Sequence, residues 1–383
     1  MHLNEIIYLD NAATTRKKPK VVYDAFDYYI KEIGASPGRG SHLLSVLASR
    51  YLYQARKTVS RYFGCTSTNN VVFTKNATEA ANLFLRGYLK KGDHVLLSPM
   101  EHNAIFRPIH SLKKEGRIDY DIIPLEVFRD LKTDVLDMYV KESTKLCIIT
   151  LASNITGEIL LSSEINKYLK SRDIKVLLDT AQGAGRVKLS MVNDNIDYLI
   201  FTAHKDLYGM PGIGGLCSLE KLDIEPLLQG GTGVHSEEFI NPDIVPEKYE
   251  AGTINMPSIW SLKTGIEYIE ENMEEIIEKE RKLYTICLEG LKKLKNVIIY
   301  GGEKIDKYLS IISFNIDGVD CQEVSRQLSE NNICVRSGHH CNILGHINIG
   351  TKDIGTVRVS LDYHNSIQEL EKFIDIIKKI SKG

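Results

Sequence analysis

The sequence predicts an α/β fold built around an open sheet. Two short apolar runs, Val176–Leu178 and Tyr198–Phe201, have the length of strands and do not alternate with polar residues, which is typical of strands covered on both faces. Polar and glycine-rich segments follow both runs, and ligands of open α/β sheets bind at the carboxyl ends of the strands. Apolar residues at helical spacing fill Pro257–Leu294, which predicts a long helix after the sheet.

Composition limits the class of protein. With 383 residues, 43% of them hydrophobic, the chain is long enough for two domains with cores of their own. A net charge of −2 gives no reason to expect nucleic acid as a partner. We expect no membrane span, because no apolar run approaches ~20 residues, and no signal peptide. Seven cysteines without a C-x-x-C motif fit a reducing, cytoplasmic compartment.

The remaining elements are predicted from apolar runs, helical spacing and turn residues. The predicted strands before the long helix also include Ile6–Leu9, Val71–Phe73, His94–Ser98, Cys147–Leu151 and Gly215–Ser218, the last running against the sheet. The predicted helices there are Pro19–Ile33, Leu43–Phe63 and Ser163–Arg172. After the long helix we expect a β-α-β-β-α order, made of Val297–Tyr300, Leu309–Asn315, Cys321–Asn331, Ile333–Arg336, Thr356–Leu361 and the helix Gln368–Ile380.

Residues with chemical potential follow the two central runs. Asp179 ends the first run, with Gln182 three residues on, and Thr202, His204 and Lys205 follow the second. A lysine that forms a Schiff base, with a carboxylate against a pyridinium nitrogen, is what pyridoxal phosphate (PLP) needs. Taken singly, an aspartate after a strand is often a turn former and a lysine is usually solvated.

Two further strand ends carry candidate cofactor residues. The segment after Val71–Phe73 opens a helix at Ala77 and Thr78, whose free N–H groups suit a phosphate. A plain N-cap at Asn76 is the alternative. His102 follows the strand His94–Ser98, where a single histidine is more often a hydrogen-bonded turn residue than a catalyst.

A cysteine loop lies between two C-terminal strands. Cys341 follows two histidines, which favours the thiolate, and glycines at 338, 345 and 350 predict mobility. Cys341 is otherwise a small buried hydrophobe, or a zinc ligand with Cys334, His340 and His346, although that spacing fits no standard finger. Strand alternation turns Arg358 away from the core face, where it is either a carboxylate-binding fork or a solvated side chain.

These motifs together resemble a known family. D-x-A-Q at 179–182, T-x-H-K at 202–205, the following L-Y-G-x-x-G-x-G-G and R-S-G-H-H-C at 336–341 resemble the class V branch of PLP enzymes of fold type I, above all the cysteine desulfurases and selenocysteine lyases. The resemblance implies a large domain with a mainly parallel seven-stranded sheet and a smaller α+β C-terminal domain. We expect residues 15–257 to form the large domain and residues 1–14 plus 258–383 the small one.

The resemblance also implies roles for individual residues. The implied cofactor-binding set is Ala77, Thr78, His102, Asn154, Asp179, Gln182, Thr202, His204, Lys205 and Thr253. The implied substrate-binding set is Asn11, Asn154 and Arg358, and the implied catalytic set is Lys205, Cys341 and His102, with no metal. Thr253 and the loop Arg39–His42 would act across the interface of a homodimer.

The implied function is a cysteine desulfurase, which converts L-cysteine to L-alanine, leaves a persulfide on Cys341 and passes the sulfur to an acceptor protein. Three alternatives are a selenocysteine lyase, a class V aminotransferase or β-lyase in which Cys341 is incidental, and a catalytically silent sulfur-carrier partner or scaffold. Two departures from the commonest family pattern are Asp206, inserted directly after Lys205, and Met210 in place of proline. A carboxylate at 206 is expected to favour the charged lysine.

Overall fold

The structure is a computed structural model that describes residues 5–38, 40–302 and 304–382. The strands in these residues are β1 (Ile7–Tyr8), β2 (Val71–Thr74), β3 (Asp93–Leu97), β4 (Ile118–Ile122), β5 (Thr144–Thr150), β6 (Lys175–Asp179), β7 (Tyr198–Thr202), β8 (Gly214–Ser218), β9 (Val297–Tyr300), β10 (Ile311–Ile316), β11 (Ile333–Cys334), β12 (Arg336–Gly338) and β13 (Thr356–Ser360). The α-helices are α1 (Lys20–Tyr28), α2 (Leu43–Phe63), α3 (Ala77–Tyr88), α4 (Asn103–Lys114), α5 (Leu125–Asp130), α6 (Thr133–Asp137), α7 (Ser163–Ser171), α8 (Met256–Lys292), α9 (Cys321–Glu330), α10 (Ile343–Asn348) and α11 (Ile367–Ile380).

The central sheet has seven strands in the order β2-β8-β7-β6-β5-β3-β4. Strands β3 to β7 pair in parallel, and β8 runs antiparallel to both of its neighbours. Two hydrophobic clusters cover the two faces of the sheet, which explains why its strands read as continuous apolar runs. The predicted fold class and the reversed direction of the strand at 214–218 are confirmed.

The carboxyl ends of the parallel strands meet at one edge. Thr150 at the end of β5 pairs with Asp179, and Asp179 pairs with Ile200 of β7. The polar segments that follow β3, β5, β6 and β7 are therefore brought to the same side of the sheet, as an open α/β sheet requires.

A second, four-stranded sheet in the order β12-β13-β10-β9 has a hydrophobic core of its own with α9 and α11. Strand β1 pairs in parallel with β11, beside this core. The 37-residue helix α8 contributes its first half to the large core and its second half to the small one. The proposed division at residue 257 stays a prediction.

Two local expectations were wrong. The run Ile333–Arg336 is two strands, because β11 pairs with β1 whereas β12 pairs with β13. The segment 343–348 in the predicted cysteine loop is the helix α10, capped by the Asn342 side chain. The predicted helix Pro19–Ile33 is confirmed, as α1 and the π-helical turn Tyr29–Ile33 that continues it. Within the described residues, no helix combines the length and the apolar character that crossing a bilayer demands.

A buried ion pair fixes the segment that carries Thr253. Both nitrogens of the Arg56 fork contact the Glu250 carboxylate, at 2.7 and 2.8 Å, and both side chains are 7% exposed. The N–H of Phe73 in β2 donates to the same carboxylate at 2.7 Å. The residues after Glu250 are thereby held against the edge of the central sheet.

We expect Glu250→Ala to lower the free energy of unfolding by about 3–5 kcal/mol, because it leaves the Arg56 charge buried without its partner. Urea denaturation measures the change. Asp24→Ala is the control, since the Lys20–Asp24 pair is exposed and such a pair contributes at most about 1 kcal/mol. Similar losses in the two variants would contradict the structural role of the buried pair.

Candidate functional site

Lys205 follows β7 at the carboxyl edge of the central sheet, the region called the crevice below, and its amine has a low pKa. Burial, and next the charge of Arg358, lower the pKa of its amine to about 8, against the opposing charges of Asp179 and Asp206. The expectation that Asp206 would favour the charged lysine is therefore outweighed. The Asp206 carboxylate accepts a hydrogen bond from the Gly183 N–H, so it has a partner in the backbone.

Asp179 is buried at the end of β6 and accepts a hydrogen bond from the Ala181 N–H at 2.9 Å. Burial raises the pKa of its carboxyl. Gln182, also buried, donates to the Ala12 carbonyl at 2.7 Å, so its amide binds the N-terminal segment. An acid at this depth needs a positive partner to be charged, and the charge of Lys205 acts on it.

Thr202 and His204 flank the lysine. The Thr202 hydroxyl is buried, with no hydrogen-bond partner in the part of the chain that the structure describes. His204 contacts the Thr14 hydroxyl at 3.0 Å through Nδ1, and burial, followed by the Lys205 charge, lowers its pKa to about 4. The N-terminal D-N-A-A-T-T segment thus lies against the lysine segment.

His102 caps helix α4, and its Nδ1 accepts a hydrogen bond from the Ala104 N–H at 3.0 Å. Burial and the charge of Lys205 lower its pKa to about 3, so the ring is neutral. Beneath it lies Glu101, fully buried, whose carboxylate accepts a 2.6 Å hydrogen bond from the Ser98 hydroxyl. Burial raises the pKa of Glu101 to about 8, and sequence patterns gave no sign of this acid.

Helix α3 begins beside β2 with Asn76 as its N-cap, which accepts from the Glu79 N–H at 2.9 Å. The cap alternative is therefore correct for Asn76, yet it satisfies one N–H of the four that a helix start leaves open. Ala77 is buried and Thr78 is exposed at this start. Thr253 is also exposed and lines a cavity of about 270 Å³. Lys75, Glu79 and Glu250 also line this cavity.

Arg358 is 1% exposed, so the solvated alternative was wrong. It donates to the Asn154 carbonyl at 2.9 Å and to Asp10 at 2.7 Å, whereas its Nε has no hydrogen-bond partner among the described residues. Asn11 is held beside the same strand, donating to the Ser360 carbonyl at 3.1 Å. A buried guanidinium with an unpaired donor is suited to bind a carboxylate.

The cysteine loop presents an exposed thiol. Cys341 and His340 both have left-handed backbones, with φ of 57° and 49°, which is costly for residues other than glycine. The Arg336 guanidinium donates to the Cys341 sulfur at 3.2 Å. Burial, and then the charge of Arg358, lower the pKa of His340 to about 2. The positive neighbour of the thiol is therefore Arg336 and not the adjacent histidine.

The loop is fixed to the large sheet by an asparagine pair. The Asn154 amide donates to the His340 carbonyl at 2.8 Å and accepts from the Asn342 amide at 2.8 Å. Asn342 also donates to the Met100 carbonyl, and the Asn103 N–H donates to the Cys341 carbonyl, each at 2.8 Å. These hydrogen bonds therefore hold this part of the loop in place despite its glycines.

Other predicted features are less informative. Arg39 lies outside the described residues, as do residues 1–4 of the predicted small domain. In the ranges that are described, no three His, Cys, Asp or Glu side chains form a group able to hold a metal ion. Met210 packs against the large core, and its N–H donates to the Ser261 hydroxyl.

Comparisons with known proteins identify the class. The Aminotransferase class-V family model matches residues 7–373, so the chain belongs to this family. A probable cysteine desulfurase of Pyrococcus abyssi is 33% identical, with 99% of this chain and 95% of the relative covered. A cysteine desulfurase of Wigglesworthia glossinidia brevipalpis is 30% identical, with 98% and 93% covered.

Solved structures agree with these relatives. The apo structure of a cysteine desulfurase from Thermococcus onnurineus NA1 matches with a TM-score of 0.90 and 33% identity, covering 99% of this chain and 96% of that one. A cysteine desulfurase from Escherichia coli matches with a TM-score of 0.87 at 24% identity, covering 99% and 95%, which supports the fold alone. The predicted family is confirmed.

We expect Glu101→Gln to remove a pH dependence of stability. Because the folded pKa of about 8 exceeds the unfolded value of about 4.3, the folded state retains its proton longer, and stability falls as pH rises from about 4.3 to 8. The glutamine variant loses this fall, which amounts to several kcal/mol as an order of magnitude. Urea denaturation at pH 5 and pH 8 tests it, with exposed Glu126→Gln as the control. Parallel pH dependences in Glu101→Gln and the parent protein would contradict a neutral Glu101.

Proposed function

We propose that the chain is a PLP-dependent cysteine desulfurase, which converts L-cysteine to L-alanine and leaves the sulfur as a persulfide on Cys341. The observation that carries the proposal is an exposed thiol beside Arg336, in a loop anchored to the same Asn154 that contacts Arg358. Asn154 therefore contacts both Arg358, which would bind the substrate carboxylate, and the loop that carries Cys341, which would accept the sulfur.

The residues present fit PLP. A lysine with a lowered pKa is needed to form a Schiff base, and Lys205 has one. Asp179 suits a pyridinium nitrogen, neutral His102 suits a ring face, and the unpaired Thr202 hydroxyl is a donor for a polar group. The start of α3 at Ala77 and Thr78 suits the phosphate. When bound, PLP supplies an electron sink for the bonds at the substrate α-carbon.

The side chains then have distinct tasks. Arg358 binds the substrate carboxylate, with its unpaired Nε available for this contact, and Asn154 holds it in orientation. Lys205 moves the proton at the α-carbon, for which a pKa of about 8 is well matched to neutral pH. His102 is neutral at that pH, so its imidazole can accept and donate protons near the cofactor ring.

Cys341 takes the sulfur. Its thiolate attacks the substrate sulfur, a new S–S bond forms, and the carbon–sulfur bond breaks with its electron pair going to the substrate carbon. Arg336 donates a hydrogen bond to the Cys341 sulfur and holds it in place before attack. The persulfide is then passed to an acceptor protein.

The functional unit is a homodimer. Apolar side chains are exposed along α1, the following turn and α2, namely Val21, Tyr23, Tyr28, Ile30, Leu43, Leu44, Val46 and Tyr53. An exposed apolar surface of this kind marks an interface, and a second copy would cover it. Thr253, exposed and without a hydrogen bond among the described residues, would reach the phosphate of the partner subunit. Cysteines that are all free support a reducing, cytoplasmic location.

We expect Cys341→Ala to abolish persulfide formation from L-cysteine while it leaves the yellow absorbance of bound PLP unchanged. The reason is that the thiol accepts sulfur but holds no part of the cofactor. Sulfide and alanine release, together with persulfide labelling, measure the effect. Cys334→Ala, in the strand before the loop, is the matched control and keeps full activity. Persistent sulfur transfer in the Cys341 variant would favour a lyase in which this cysteine is incidental.

We expect Arg358→Lys to lower kcat/KM for L-cysteine by about 10- to 100-fold, mainly through KM, since the planar fork is lost and a charge-assisted hydrogen bond contributes about 1.5–3 kcal/mol. Steady-state kinetics measure the change. Arg129→Lys is the control, because Arg129 pairs with Glu158 outside the crevice. An unchanged KM in the Arg358 variant would remove this residue from substrate binding.

A further inference from the structure

A basic cavity lies directly beside Cys341. Its volume is about 590 Å³, and helix α4 and the cysteine loop form its walls. The Asn103 N–H, at the start of α4, donates to the Cys341 carbonyl, which joins the two walls next to the thiol. His339 and Ile343, each two residues from Cys341, line the loop side. The cavity is therefore lined by residues on both sides of Cys341 in the chain and by the residue that contacts its carbonyl.

The cavity carries positive charge along one face of the helix. The cations Arg107 and Lys114 line it, together with Phe106 and His110, and both cationic side chains are exposed. Among the described residues, Arg107 and Lys114 form no ion pair. None of the described lining residues is acidic.

The acids nearest in sequence do not cancel this charge, because other cations already bind them. Glu115 faces Arg86 at 3.5 Å and accepts from the Ser111 hydroxyl at 2.8 Å. Asp119 pairs with Lys113. The Arg107 charge also extends inward, since it contributes to the low pKa of His102.

The dimensions favour a polypeptide over a small thiol. Asn103 to Lys114 are the twelve residues of α4, and the distance between the first and the last is about 16 Å at 1.5 Å per residue. An extended segment of about five residues has the same length at 3.3 Å per residue. On the loop side, Ile347 is 53% exposed one turn beyond Ile343, which adds an apolar contact to the basic face.

We propose that this cavity docks an acidic segment of a sulfur-acceptor protein and brings its acceptor cysteine to Cys341. The proposal rests on the persulfide function of Cys341. In the transfer, the acceptor thiolate attacks the outer persulfide sulfur, a new S–S bond forms on the acceptor, and the old S–S bond breaks with its electron pair leaving on Cys341. The proton that the acceptor thiol gives up matches the one that Cys341 regains, so no external oxidant or reductant is needed.

The test uses the full-length holoenzyme and two five-residue peptides, each with a cysteine at one end followed by four glutamates or by four glutamines, so that the chain can extend from Cys341 toward Lys114. Cys341 is loaded with sulfur from L-cysteine or, in a parallel arm, from inorganic polysulfide, and persulfide transfer to each peptide is timed. We expect the glutamate peptide to react about tenfold faster at low salt, with the advantage lost at about 0.5 M salt because of screening.

Lys114→Glu, remote from the thiol, should slow the glutamate peptide about five- to tenfold and leave the glutamine peptide within about twofold. Lys167→Glu on α7 is the matched control, an exposed helical lysine outside the cavity, and should change neither rate. Equal rates for the two peptides on the parent enzyme, or equal slowing of both by Lys114→Glu, overturn the docking surface. Loading by polysulfide without loading by L-cysteine would instead overturn the desulfurase function, while the peptide comparison still decides the docking proposal.

Discussion

Asn154 is the residue on which the geometry of the site depends. Its side-chain amide donates to the His340 carbonyl, its side-chain oxygen accepts from the Asn342 amide, and its backbone carbonyl accepts from Arg358. The turn that follows β5 thus fixes both the cysteine loop and Arg358, the arginine proposed to bind the substrate carboxylate. Because the sp² amide and carbonyl prefer defined directions, the turn fixes where Cys341 and Arg358 stand relative to the large sheet.

Burial shifts the pKa values of the side chains at the crevice more than any single neighbouring charge does. It lowers the pKa of Lys205, His102 and His204, and it raises the pKa of Asp179 and Glu101. Each shift favours the neutral form, as desolvation requires. Groups held in their neutral forms by burial gain from an oppositely charged ligand, and the proposed cofactor and substrate supply such charges at a phosphate, a pyridinium nitrogen and a carboxylate.

The hydrophobic pattern and chain order predicted the fold well, because they depend on periodicity. Helix α2 begins and ends at the residues that the sequence pattern predicted. The same is true of strand β9, which was predicted as an apolar run. The hydrophobic pattern failed to predict local structure where contacts with residues distant in sequence, or side-chain caps, determine it. The run 333–336 divides between two sheets, and Asn342 makes a helix of a segment that its glycines marked as mobile. Arg358 and Glu101 are buried polar residues, and a linear sequence does not reveal the neighbours that make burial tolerable.

The same distinction applies to the residue inserted after the lysine. From sequence, Asp206 is an unpaired carboxylate next to the reactive amine. In the structure its carboxylate accepts the Gly183 N–H and its carbonyl accepts from Arg186, at 3.1 Å. A Cβ at Gly185 would lie 2.1 Å from that carbonyl, so this position needs glycine. Arg186 in turn pairs with Glu280 of α8 at 2.8 Å. The insertion is therefore part of a buried network that connects the lysine segment to the long helix. Its charge still acts on the Lys205 amine, but burial and the Arg358 charge outweigh it.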